Sequence, residues 1–297
     1  MDINAYLEEK KLLIEDWLEK AIPSEKSLPP VIHQAMRYSL MARSKRIRPV
    51  LTLATTESLG GKIEKALPFA CALELIHTYS LIHDDLPAMD NDDFRRGKPS
   101  NHKAFGEAMA ILAGDALLTH AFFLMSAPYP FSSSISPWLA LEIIQEIARA
   151  AGTEGMIGGQ VMDIQLEGQS AAISQVEDMH NCKTGAMILA AVRVGGLLAD
   201  VSEKQLESLT LFGRHIGLAF QIVDDILNVE GQPEMLGKSV GSDQSAKKAT
   251  FPSVLGLEES RACARQHYDL AAQALEIFGE RAHILRELAR FIVCREF

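Results

Sequence analysis

Five aspartates fall within ten residues, namely Asp84, Asp85, Asp90, Asp92 and Asp93, and Arg95 and Arg96 follow directly. The run before them, Ala66 to Ile82, holds a single acid, Glu74. An apolar helix therefore delivers a dense carboxylate cluster. Neighbouring like charges repel, and partial burial strengthens the repulsion. Divalent cations relieve it. An all-oxygen donor set suits Mg²⁺, which binds one or two carboxylates and fills its shell with water and phosphate oxygens. Arg95 and Arg96 can grip further phosphate oxygens in bidentate fashion. The stretch reads as a metal-bridged site for a phosphorylated substrate, with a solvated acidic loop as the alternative.

A second stretch, Phe220 to Asn228, again closes an apolar helical run with paired acids, Asp224 and Asp225. Asp224 and Asn228 are four apart and share a helix face. Two apolar helices that each carry an Asp-Asp pair can face one another across a bundle core, as metal sites in helix bundles do. Basic residues cluster separately at Arg43-Ser44-Lys45-Arg46-Ile47-Arg48, between two helical segments. Such a run is a solvated loop or an anion cradle.

The elements that must position these groups are helical throughout. Apolar residues recur at helical spacing from Ile3 to Ile22, and Pro23 ends that run. Pro29-Pro30 opens a second helix, running to about Ala42. A third runs from Pro49 to Leu59, before Gly60-Gly61. The fourth, Lys62 to Asp85, carries His77 two turns before Asp84 on the same face. His77 is either a core histidine or a ligand contact. Pro87 removes a helical hydrogen bond, which lets Asp90 return towards Asp84. Asn101 to Met125 reads as one helix, with Asp115 a structural carboxylate. Gln160 and Asp163 share a face. Ser174 is expected to cap a helix reaching Ala199, with Glu177 at capping-box spacing. Within it, Lys183 either reaches a phosphate or snorkels to water. Ser202 and Gln205 form another capping box before the helix to Glu230. Helices are expected from Phe251 to Phe278 and from Arg281 onward. No segment alternates with period two. The expected fold is all-α, one domain over residues 1–297, a bundle of ten or more helices around a central cavity.

Composition narrows the function. The formal net charge is −10, which argues against a nucleic-acid partner. Four scattered cysteines show no metal-binding spacing and fit a reducing cytoplasm. No apolar leader and no membrane span is expected.

From about Ala35 onward the chain resembles the short-chain trans-prenyl diphosphate synthases, most closely the bacterial farnesyl diphosphate synthases. The residues that carry the resemblance are Asp84-Asp85 with Asp90, Arg95-Arg96-Gly97, Lys183-Thr184, Gln221 with Asp224-Asp225, and Gly237-Lys238 with Asp243. The resemblance implies that Asp84 and Asp90 bind two Mg²⁺ ions and Asp224 a third, with Asp85 and Asp225 also in the metal-binding set. It implies that Arg95, Lys183, Thr184, Gln221, Lys238 and Lys248 hold the allylic diphosphate. Lys45, Arg48, His77 and Arg96 would hold isopentenyl diphosphate. It also implies a homodimer. Ionisation of the allylic diphosphate would leave a carbocation that the isopentenyl double bond attacks. Proton loss to the departing diphosphate would complete the reaction.

Two positions depart from the family pattern. Arg43-Ser44 stands where the family commonly has two glycines, and Asn228 where it commonly has Asp. Asn228 reads as a position that meets metal through water. Tyr79 and Ser80 lie about one turn, ~7 Å, before Asp84. By the resemblance an aromatic there stops growth at C15; packing in the core is the other reading of Tyr79. C10 and C20 products remain open. A terpene cyclase would not need the second basic set. A non-catalytic partner subunit would be expected to lose acidic motifs, and a dinuclear phosphohydrolase would need more histidines.

Overall fold

The structure, a computed structural model, describes residues 2–126, 135–230 and 248–293. Lys238, with its Gly237–Asp243 stretch, lies outside the described residues. Apart from one two-stranded ribbon, the regular structure described is helical, as expected. The chain divides into two compact units, Met1–Val50 with Glu64–Ala140, and Leu51–Ile63 with Leu141–Phe297.

In the first unit, α1 (Ile3–Ala21) starts where the Asp2 carboxylate accepts the Asn4 N–H at 2.9 Å. α2 (Pro30–Leu40) opens on proline, and α3 (Ile47–Ser58) begins here. α4 (Ile63–Asp84) is buried on every face from Ala66 to Ile76, as its almost uniformly apolar sequence requires. Its end is abrupt. Asp85 still donates to the Leu81 carbonyl at 3.2 Å, but Leu86 turns to His83 at 3.1 Å, and Pro87 has no N–H to give.

The ribbon was not expected. β1 (Phe94–Arg95) pairs antiparallel with β2 (Lys98–Pro99). Arg96 and Gly97 take φ of 54° and 76° at its tip, the positive pair that a tight hairpin needs. The helix expected over Asn101–Met125 breaks at Gly106, φ 85°, into α5 (Asn101–Phe105) and α6 (Glu107–Ser126). No membrane span is expected from the sequence, yet α6 is long and apolar enough to cross one by length and composition alone; 39% of its most apolar window is buried.

The second unit holds most of α7 (Pro137–Ala151), then α8 (Met156–Leu166), α9 (Ile173–His180), α10 (Ala186–Leu198) and α11 (Glu203–Glu230). α12 (Phe251–Leu255), α13 (Leu257–Ala274) and α14 (His283–Val293) follow. The later part of α3 is stitched to α10 through Thr52 Oγ1 to Ala191 O, 3.0 Å, and Thr56 Oγ1 to Gly195 O, 3.2 Å. α11 packs against α10 and α13. The Ser202–Gln205 box forms, with the Ser202 N–H donating to Gln205 Oε1 at 3.0 Å.

Two expectations need correction. Ser174 is not the cap. Ala172 is, and Gln175 Oε1 accepts its N–H at 2.9 Å, the part expected of Glu177 for Ser174. The helix expected over Phe251–Phe278 is interrupted by Gly256, φ 83°.

Candidate active site

In the first unit, the turn after α4 brings the two outer aspartates together. The Asp90 N–H donates to the Asp84 carbonyl at 2.9 Å, so backbones six residues apart in sequence are adjacent in space. Both residues are half-buried. Asp85 differs. It is 2% exposed, and its Oδ1 accepts Arg95 Nε at 2.8 Å and also Arg95 Nη2. Asp92 adds Oδ2 to Arg95 Nη2 at 3.2 Å. The inner aspartate thus fixes the first hairpin arginine.

Arg96, at the hairpin tip, turns the other way, towards Glu74, 3.9 Å away. Burial lowers its pKa, Glu74 opposes this, and Arg46 and Arg95 lower it further. His77 lies among Arg48, Arg96, Arg95 and Arg46. Burial holds its pKa well below the ordinary 6.5, and these guanidiniums push it the same way. The imidazole is neutral at neutral pH. Lys45 is exposed and Arg48 half-buried in the first turn of α3. Positive φ falls on Arg46, 51°, and not on Arg43 or Ser44, so the missing glycines cost the backbone nothing.

Tyr79 is 6% exposed, its ring edge-on to His83 with centroids 5.7 Å apart. Burial first, then the Asp84 carboxylate, push its phenol up to about 12. Ser80 donates to the His77 carbonyl at 2.9 Å.

The second unit holds its candidates on a distorted turn. Asn181–Gly185, between α9 and α10, is a π-helix, and it contains Lys183 and Thr184. Single π turns recur at functional sites because they re-aim side chains. α8 comes so close that a Cβ on Gly159 would stand 2.1 Å from the Lys183 nitrogen. Lys183 Nζ lies 2.6 Å from Asp163 Oδ2, and Lys248 Nζ 3.8 Å from the same oxygen. Thr184 Oγ1 donates to Gln221 Oε1 at 2.9 Å, and Gln221 Nε2 to Asp225 Oδ1 at 3.0 Å. The other Asp225 oxygen accepts the Phe251 N–H and meets His180 Nε2, both at 3.0 Å. Asp225 is 3% exposed, whereas Asp224 beside it is exposed. Asn228, half-buried, lines a pocket with Asp225, Lys248 and Ser253.

Both acidic pairs therefore divide in the same way. The outer member faces outward, and the inner member is taken up by the protein's own donors. Among the described residues no three His, Cys, Asp or Glu side chains form a metal cage. The donor set fits Mg²⁺, which is commonly held by one or two carboxylates with water and phosphate. Sequence reasoning missed His180, Arg46 and the role of Glu74. His180 lies three residues before Lys183, and Glu74 is the lone acid of an apolar helix; both were visible signals.

A family model described as polyprenyl synthetase matches residues 29–284. The chain is 48% identical to the farnesyl diphosphate synthase of Geobacillus stearothermophilus, covering 100% of this chain and 99% of that one. It is 46% identical to the geranylgeranyl diphosphate synthase of Cyanophora paradoxa, covering 98% and 95%. Among solved structures it resembles a geranyltransferase of Helicobacter pylori complexed with magnesium and isoprenyl diphosphate, with TM-score 0.86, 29% identity and coverage of 99% and 97%. The chain belongs to the polyprenyl synthetase family. It is a short-chain prenyl diphosphate synthase, a prenyltransferase.

Proposed function

We propose that the protein condenses isopentenyl diphosphate with dimethylallyl and then geranyl diphosphate, giving (2E,6E)-farnesyl diphosphate and releasing diphosphate at each step. The whole chain works as one catalytic domain. Asp84, Asp90 and Asp224 hold Mg²⁺, which when bound neutralises the allylic diphosphate and makes it a better leaving group. Asp85 and Asp225, expected among the metal ligands, are assigned instead to their neighbours: Asp85 aims Arg95, and Asp225 aims Gln221, which holds Thr184. Arg95, Lys183, Thr184, Gln221, Lys238 and Lys248 bind the allylic diphosphate. Lys45, Arg48, His77 and Arg96 bind isopentenyl diphosphate, with neutral His77 donating a hydrogen bond.

These cations stabilise the charge that gathers on the leaving diphosphate as the C–O bond breaks. The isopentenyl double bond attacks the allylic cation to form the new C–C bond. The adjacent proton leaves for the departing diphosphate, so no side-chain base is required. Ala-, Leu- and Ile-rich helices offer the cation no nucleophile.

The observation that carries the C15 assignment is Tyr79, buried on α4 about one turn before Asp84. A geranylgeranyl product is the competing reading, because relatives of similar identity carry that name. Replacing Tyr79 and measuring product length separates the two.

α6 exposes Ile111, Leu112 and Phe123 at 44%, 51% and 58%. We assign this face to a second copy of the chain rather than to lipid, giving a cytoplasmic homodimer. Sedimentation at micromolar concentration tests this, and a monomer there would refute it.

A further inference from the structure

Glu74 is 1% exposed, a carboxylate inside an apolar helix. Groups from separate parts of the chain meet its Oε1: Arg46 Nη1 at 2.6 Å, Ser44 Oγ at 3.3 Å and Arg96 Nη2 at 3.9 Å. A buried carboxylate persists only when paired and hydrogen-bonded, and here the pairing ties two elements together. One is the loop between α2 and α3, the other the hairpin tip.

Arg46 is itself 2% exposed. Its Nη2 donates to the Leu40 and Ala42 carbonyls at 2.6 and 3.4 Å, at the end of α2. Its guanidinium is thus spent on the protein, and what it contributes is the path of the loop. That path is unusual, with φ at 51°, a conformation disfavoured for a side-chain-bearing residue. Ser44 supports it. Its hydroxyl accepts the Arg46 N–H at 3.3 Å and donates to Glu74. Glycine, common in the family at this position, would supply neither bond. Lys45 precedes Arg46 on this loop, and Arg48 follows two residues later in the first turn of α3. Glu74 also opposes the effect of burial on Arg96, which Arg46 and Arg95 reinforce.

We propose that Glu74, bridged by Ser44, is a positioning residue that fixes Lys45, Arg48 and Arg96 relative to one another for isopentenyl diphosphate. This rests on the reading of those three cations given above. Glu74 does not touch substrate. A diphosphate discriminates sharply between cations held in place and cations that wander, so the loss falls on binding of one substrate.

The test compares wild type, Ser44→Ala and Glu74→Gln. Steady-state kinetics are measured with each substrate varied in turn, isopentenyl diphosphate binding is followed by calorimetry, and Tm is recorded for each variant. We expect KM for isopentenyl diphosphate to rise about threefold in Ser44→Ala and roughly tenfold in Glu74→Gln, with allylic KM nearly unchanged. A purely structural role would lower Tm and shift both KM values together, and that result overturns the proposal. So does an unchanged Kd for isopentenyl diphosphate in a folded variant. Should Glu74→Gln fail to fold, Ser44→Ala decides the matter. Absence of prenyl transfer by wild type would strike the functional reading instead, and the calorimetric comparison would still judge Glu74.

Discussion

The Asp90 N–H donates to the Asp84 carbonyl at 2.9 Å, closing the turn that follows α4. A helix could not place residues six apart on one face. Pro87 and the turn bring the two backbones together, and both residues are half-buried. Asp84→Ala or Asp90→Ala should therefore cost kcat far more than KM for isopentenyl diphosphate, by about a thousandfold. Equal losses in both parameters would remove these residues from the metal role. Steady-state kinetics across a Mg²⁺ titration make the comparison.

The second pair should separate stability from activity. Asp225 is buried with Gln221, Phe251 and His180 on its oxygens, while Asp224 is exposed. Asp225→Ala strands buried donors and should lower unfolding stability by about 2–4 kcal/mol. Asp224→Ala should leave stability within about 0.5 kcal/mol while lowering kcat. Urea unfolding of the two variants checks this. Equal destabilisation would contradict the division of roles.

His77 makes a pH prediction with a defined sign. Burial first, then the surrounding arginines, hold its pKa below the ordinary 6.5. The unfolded chain then takes up the proton first, so the stability linked to His77 is complete above 6.5 and is lost as pH falls below it. Urea midpoints should decline from about pH 7 to pH 5, and less steeply in His77→Gln. Parallel declines in the two proteins would show that His77 does not contribute.

Gly159 is required by the π turn, because an added Cβ would stand 2.1 Å from the Lys183 backbone nitrogen. That atom is backbone and cannot swing away. Gly159→Ala should displace Lys183 and raise allylic KM roughly tenfold, with a smaller effect on isopentenyl KM. Unchanged allylic kinetics would show that the turn does not set the lysine.

Much of this arrangement is legible in the sequence, for physical reasons. Paired acids ending an apolar helix are costly, so Asp84-Asp85 and Asp224-Asp225 stand out. Period-3.6 patterning gives the helices, because their apolar faces must be buried. What the sequence hides is which aspartate of each pair turns inward. Gln221 lies four residues before Asp225 on the same helix, but the other partners of Asp225, His180 on α9 and Phe251 at the start of α12, are far away along the chain and only folding brings them in. The breaks at Gly106 and Gly256 depend on φ, which a lone glycine inside an apolar run does not announce. The Ala172 cap is not legible because alanine has no side-chain acceptor, and the bond that forms there runs from its N–H to Gln175 Oε1. Arg43-Ser44 stands where the family commonly has two glycines, yet the residue with positive φ is Arg46.

The most direct measurement is product chain length. Purified protein is supplied with Mg²⁺, dimethylallyl diphosphate and labelled isopentenyl diphosphate, and the dephosphorylated products are separated. The account gives a C15 alcohol from wild type and a longer one from Tyr79→Ala. A C20 alcohol from wild type, or C15 from both proteins, would contradict Tyr79 as the floor. No elongation at any Mg²⁺ concentration would contradict the proposed reaction itself.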